Sequence, residues 1–368
     1  MDDTLVQQVC NRLDFNISYF ERPSGNIDAI VRECIRPFDL AKPPLLRASL
    51  VRLTEDRHLL VVDAHHIIFD GISGYLFLSE LIKRYGGETA FPSAAPYRDY
   101  VEMEQDYLAG DEYGKHERYW GEKFSSAVPP LDLPADFSRP PVKTFRGDKI
   151  FRKLDSDATR KVRSTARSAG VSLHMILFAA YFLLLHKLTG NEDVVVGTTY
   201  DGRGAVMFGS SIGMFVNTVP VRCQPEGTKT FRAFLDEVKR EVLDAYDRRE
   251  YPFEDLVKKL SPDRDMSRNP LFDTMFVYET QEGSSISSGG VTFTEFNCST
   301  QTSIFDMTLD IADSGSELNI SLEYATDLFR RETAERYLSG FLNILDQIIV
   351  DPDRRMHAVE ILSEGEKR

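Results

Sequence analysis

His65-His66-Ile67-Ile68-Phe69-Asp70-Gly71 follows the apolar run Leu59-Leu60-Val61-Val62 and precedes a stretch, Ile72 to Tyr85, that stops at Gly86-Gly87. The run suits a buried strand and the glycine pair suits a helix end, so the seven residues fall at a strand, turn, helix junction. Residues two apart on a strand share a face, which groups His66 with Ala64, Val62 and Leu60, and His65 with Asp63 and Val61. His66 is therefore expected on the more apolar side at a strand end, partly desolvated and able, as a neutral imidazole, to accept a proton. Plainer readings stand beside this one: His66 as a satisfied core residue, and Asp70 as the cap of the helix that follows. Metal ligation by His65, His66 and Asp70 is disfavoured, because adjacent strand residues diverge to opposite faces.

The same alternation of strand and helix recurs further along. Ser172 can cap a helix running to Leu188 before Gly190, and the β-branched run Val194-Val195-Val196 follows as a strand. Ala334, Tyr337, Leu338, Phe341, Leu342, Leu345, Ile348 and Ile349 recur at steps of three and four, an amphipathic helix stopped by Asp351-Pro352. Between the halves, residues 128 to 141 hold five prolines in fourteen positions, a density that excludes helix interiors and central strands. The expected division is a first lobe over residues 1–128, a Pro-rich connector over 129–141 and a second lobe over 142–368. Glu282 to Gly290, rich in Ser and Gly between two β-like runs, reads as a mobile surface loop.

Length and composition agree with two lobes. A chain of 368 residues exceeds the size at which one core stops growing, and the fold class expected is α/β (α+β). The formal charge of -14 is spread without a Lys/Arg stripe, which excludes nucleic acid or an anionic membrane surface as an expected partner. Cys10, Cys34, Cys223 and Cys298 lack CxxC spacing and read as reduced thiols of a cytoplasmic protein. Residues 1 to 16 carry acids and polar groups where a secretory core would be apolar. Met175 to Leu185, too short to span a bilayer, reads as a buried helix.

The segment from His65 to Gly71 resembles the HHxxxDG signature of the condensation domains of nonribosomal peptide synthetases, in the chloramphenicol acetyltransferase-like superfamily. Companions occur in that family's order. Arg36-Pro37-Phe38-Asp39-Leu40 and Pro44-Leu45-Leu46-Arg47 resemble its RPFDL and PLLR elements, and Tyr97-Arg98-Asp99-Tyr100 its YxDF/Y motif. Ile212-Gly213-Met214-Phe215-Val216-Asn217-Thr218 matches IGMFVNT, Tyr251-Pro252-Phe253-Glu254 matches YPFE, and Arg264-Asp265-Met266-Ser267-Arg268-Asn269-Pro270-Leu271 matches RDxSRNPL. Phe38, Leu45, Phe215 and Phe253 read as core residues, and Asn217 as either a tunnel residue or a satisfied buried amide.

The resemblance implies two acetyltransferase-like lobes arranged as a V, with the active site at their junction. It implies amide formation between a donor acyl or peptidyl thioester and an acceptor aminoacyl thioester. Upstream and downstream carrier proteins would deliver both on 4'-phosphopantetheine arms, with no cofactor, nucleotide or metal bound directly. His66 is the expected catalytic base, supported by His65, and Asp70 is expected to pair with Arg203 of the second lobe. Gly71 lacks a Cβ, so its N–H can face a developing oxyanion, or the glycine can serve the turn alone. Family members start several dozen residues earlier, so the first lobe is expected to be N-terminally truncated, and an inactive truncated fragment stays open as a reading. Ile361 to Glu366 resembles the exit toward an adenylation domain. An epimerization domain shares the signature, but the YPFE and RDMSRNPL elements weigh against it. A non-catalytic recruitment module shares the fold, and the intact signature weighs against that. A heterocyclization domain would replace the histidine pair with aspartates.

Overall fold

Two sheets of unequal size organise the chain in this computed structural model, which describes residues 6–10, 12–23, 25–204, 206–260, 265–280, 285–296 and 298–362. The smaller sheet has the order β1 (Ile17–Glu21), β2 (Leu46–Arg52), β3 (His58–Ala64), with β1 parallel and β3 antiparallel to β2. Helix α1 (Ile27–Cys34), capped by the Asn26 side chain, lays Val31 and Cys34 on Val61. A short 3-10 turn, His66–Ile68, leads into α2 (Gly71–Tyr85), followed by α3 (Tyr97–Ala109) and α4 (Asp111–Lys123).

The second unit comprises β4 (Gly147–Leu154), α5 (Ser156–Ser168), α6 (Leu173–Thr189), β5 (Val194–Tyr200), β6 (Asn217–Cys223), α7 (Phe231–Tyr246) and α8 (Phe253–Leu260). It continues with β7 (Thr274–Thr280), β8 (Ser285–Ser288), β9 (Val291–Thr294), β10 (Met307–Asp313), β11 (Leu318–Ala325) and α9 (Arg331–Val350). Six strands pair in the order β4-β11-β10-β7-β5-β6. The greasy run of α6 is buried from Met175 through Leu185, because the helix lies between this sheet and α7 and α9. Ser172 caps it and Gly190 ends it. Among the described residues no single helix is long and apolar enough to cross a membrane. Along β10, Met307, Leu309 and Ile311 are buried toward those helices, which leaves Thr308 and Asp310 on the opposite face.

Two expectations change here. The Pro-rich connector does not mark a boundary in the packing: Trp120 and Phe124, at the end of α4, already belong to the large core, together with Leu131 and Leu133 of the connector. Proline excludes regular hydrogen bonding, but it does not prevent an extended segment from lying on a core with leucines inward. The serine-rich surface loop is ordered from Ser285 onward as a hairpin, with β8 pairing β9 around Gly289-Gly290; Glu282 to Ser284 lie outside the described residues. That hairpin reaches the end of α2, where the Tyr85 and Phe293 rings meet edge to face at 5.6 Å. A Cβ on Gly86 would sit 2.1 Å from Ser288 Oγ, so a larger residue there requires the Ser288 hydroxyl to turn away.

Candidate active site at the lobe junction

Strand β3 stops at Ala64, one residue before the histidine pair. The His65 N–H still bonds Leu45 O at 2.9 Å, but its ring turns back, and Nδ1 accepts the Ile67 N–H at 3.1 Å. This side-chain cap ends the strand and starts the 3-10 turn on which His66 sits. The placement of His66 by strand alternation, partly buried on an apolar face, is thereby corrected: the residue is exposed. His65 holds the turn. The Phe38 ring meets it edge to face at 6.1 Å, and the Arg47 guanidinium covers Phe38 at 3.8 Å while pairing with Asp63 at 3.2 Å. The RPFDL and PLLR elements thus buttress His65.

Asp70 caps α2, accepting the Ser73 N–H at 2.7 Å, and the same carboxylate takes two parallel bonds from Arg203. Arg203 Nη1 lies 2.7 Å from Oδ2 and Nη2 lies 2.8 Å from Oδ1, with both side chains buried. Phe215 N–H adds a third lobe-crossing donor at 3.1 Å. Burial opposes the Asp70 charge, but the guanidinium and these N–H groups outweigh it and hold the carboxyl below the usual aspartate range. Arg203 stacks on the Phe215 ring at 4.2 Å.

Three further residues, of which sequence reasoning missed Ser73, complete the clasp. Ser73, fully buried, donates to Gly213 O at 2.9 Å and accepts from Gly213 N and Arg203 Nη2, both at 3.0 Å. Tyr97 donates to Met214 O at 2.6 Å, and its ring occupies the place a side chain on Gly213 would need. Gly202 has φ +66°, and a Cβ there would lie 1.8 Å from Phe215 O. At Gly202-Arg203 the first residue is therefore glycine for backbone reasons and the second arginine for charge. A polar residue at the third position of a capped helix was the available signal for Ser73; Tyr97 was quoted only as a motif letter.

Asn217 is a satisfied amide: Nδ2 donates to Arg249 O at 2.6 Å and Tyr251 O at 2.8 Å, and Oδ1 accepts Thr218 N–H. It ties the turn carrying the YPFE element to the sheet. In the last motif Arg268 pairs with Asp273 and Asp132, while Arg264 lies outside the described residues. Gly71 is the first residue of α2 and exposed, and its N–H has no acceptor among the described residues. The described residues contain no cluster of three or more His, Cys, Asp or Glu suited to a metal.

Two sheets, with the histidine turn clasped at their junction by Asp70 and Arg203, define a two-lobed α/β architecture. The condensation domain family model matches residues 1–368, and the chain belongs to that family. Bacitracin synthase 3 of Bacillus licheniformis is 39% identical over 366 residues, covering 100% of this chain and 6% of the synthase. Tyrocidine synthase 3 of Brevibacillus parabrevis is 38% identical over 368 residues, again covering 100% of this chain and 6% of the relative. The chain thus spans a small fraction of the length of these multidomain synthetases. Among solved structures, a holo four-domain nonribosomal peptide synthetase bound to AMP and glycine superposes with TM-score 0.89 at 22% identity, covering 97% of this chain and 29% of that one. The first condensation domain of the calcium-dependent antibiotic synthetase, in complex with a substrate analogue, gives 0.79 at 21% identity, covering 95% and 78%. These last two likenesses concern the fold alone.

Proposed function

We propose that this chain forms an amide between a donor acyl or peptidyl thioester and the α-amine of an acceptor aminoacyl thioester. Both would be presented on 4'-phosphopantetheine arms of carrier proteins, in a cytoplasmic synthetase in which an adenylation domain is the covalent neighbour. The observation that carries this reading is the His66 turn: an exposed imidazole on a backbone held from both sides, by His65 within its own lobe and by the Asp70–Arg203 clasp to the other. Proton transfer needs such a ring open to the substrate and fixed in place.

The amine attacks the thioester carbonyl, the C–N bond forms, and the C–S bond breaks as the donor carrier's thiol leaves. His66 takes the proton that the nitrogen sheds and returns one to the departing sulfur. Gly71 serves the turn that opens α2, since the Glu279 carboxylate beside it would oppose a developing oxyanion. Asp70 acts through Arg203 and positions the turn.

Mass spectrometry of the acceptor carrier, after both loaded carriers are mixed with the protein, tests this. A condensed product that falls about 10²- to 10⁴-fold in rate with His66→Ala, without loss of melting temperature, is the expected result. Equal yield from both proteins overturns the base assignment. An unchanged mass with inverted stereochemistry indicates epimerization, and no conversion by wild type indicates a recruitment role or an inactive fragment.

A further inference from the structure

Glu279, near the C-terminal end of β7, stands across the junction from Gly71. A Cβ built on Gly71 would lie 3.1 Å from Glu279 Oε1, so this carboxylate reaches the space a side chain at the last signature position would fill. Its strand neighbours explain its direction. Phe276 and Thr274 face the helices, whereas Val277 and Glu279 register with Asp310 and Ala312 of β10 on the other face. Glu323 of β11 and Lys149 of β4 continue that face through the paired registers.

The charges there are unevenly used. Lys149 is engaged, its Nζ 2.8 Å from Asp310 Oδ2. The cap of α2 is already supplied by Asp70. Glu279 is needed for neither task and makes no hydrogen bond or ion pair among the described residues. Its side chain is exposed, yet crowding by protein, then Asp310, with Glu295 and Asp70 adding and Lys149 opposing, raises its pKa. An unpaired carboxylate with acidic neighbours, at the mouth of the signature helix, attracts a cation and repels an anion.

We propose that Glu279 receives the amino group of the acceptor, binding the α-ammonium of the aminoacyl thioester beside the N-terminus of α2. This rests on the amide-forming reading given above. Acceptor entry is then selected for a charged nitrogen before the proton is removed, and Gly71 is glycine partly to leave the carboxylate room. Glu279 touches substrate; Asp70 does not.

The test compares glycyl-pantetheine with glycoloyl-pantetheine, the same molecule with hydroxyl in place of amine, titrated against the wild type and Glu279→Gln. The expected result is about tenfold or greater weakening for the amine on Glu279→Gln, with affinity for the hydroxyl analogue unchanged and the KM of the donor thioester unmoved. Glu279→Asp should recover part of the loss. Equal weakening of both analogues, or none for the amine, overturns the assignment. If wild type condenses loaded carriers but Glu279→Gln matches it, only this inference fails. If wild type neither condenses them nor binds the amine, the amide-forming reading fails with it.

Discussion

Arg203 and Asp70, 133 residues apart in the chain, meet as a bidentate pair at the lobe junction, their side chains 4% and 0% exposed. A fork of two parallel bonds fixes direction as well as distance, so the pair sets the orientation of α2 against the second sheet.

Removing one partner leaves the other charged and buried. Asp70→Ala and Arg203→Ala should each cost about 3 to 5 kcal/mol in urea unfolding, and the double variant distinctly less than their sum. Arg203→Lys should fail to restore stability, since a lysine presents no fork. Additive losses would mean that the two residues contribute separately.

At Gly202 a side chain meets both a left-handed backbone and the Phe215 carbonyl. Gly202→Ala should therefore lower stability by about 3 kcal/mol or more, combining strain and overpacking, although it deletes no interaction. A melting curve that superimposes on wild type would contradict the close approach.

Asn217 gives a graded case. Asn217→Ala leaves the Arg249 and Tyr251 carbonyls without their donor, and a loss of about 1 to 3 kcal/mol is expected in denaturant unfolding. Because its amide is spent on the backbone, the KM of neither thioester should shift more than the fraction folded accounts for. A specific rise in one KM would return Asn217 to the tunnel.

His174 lies on α6 among the Phe178, Phe276 and Tyr278 rings, and burial pushes its pKa down from 6.5 to about 4. The unfolded chain takes up a proton as the pH falls through 6.5, whereas the folded chain stays neutral until about 4, so this group makes stability fall across that window and leaves it level above. The loss by pH 4 should be about 3 kcal/mol. Subtracting the pH–stability curve of His174→Phe from that of wild type isolates it; a flat difference would show that the ring titrates normally.

Local pattern read the large elements well. Ser172 and Gly190 bracket α6 as caps should, and the three- and four-residue steps from Ala334 mark α9 with its buried face. These signals act through backbone termini and burial periodicity, both local. His66 was misplaced because one side-chain bond, His65 Nδ1 to the Ile67 N–H, ends the strand early, and alternation arguments do not see side chains that cap turns. The early entry of Trp120 into the second core was hidden because prolines advertise irregular backbone, not exposure. Motif resemblance pointed to Asp70 and Arg203, but Ser73 and Glu279 depend on what the opposite lobe presents and leave no periodic trace.

The helix that follows the signature is held by the second sheet's unit at both ends: at its start by Arg203, Gly213 and Phe215, and at its finish by the β8–β9 hairpin seated on Gly86. In mechanical terms α2 is a part on loan, made by the first lobe and carried by the second.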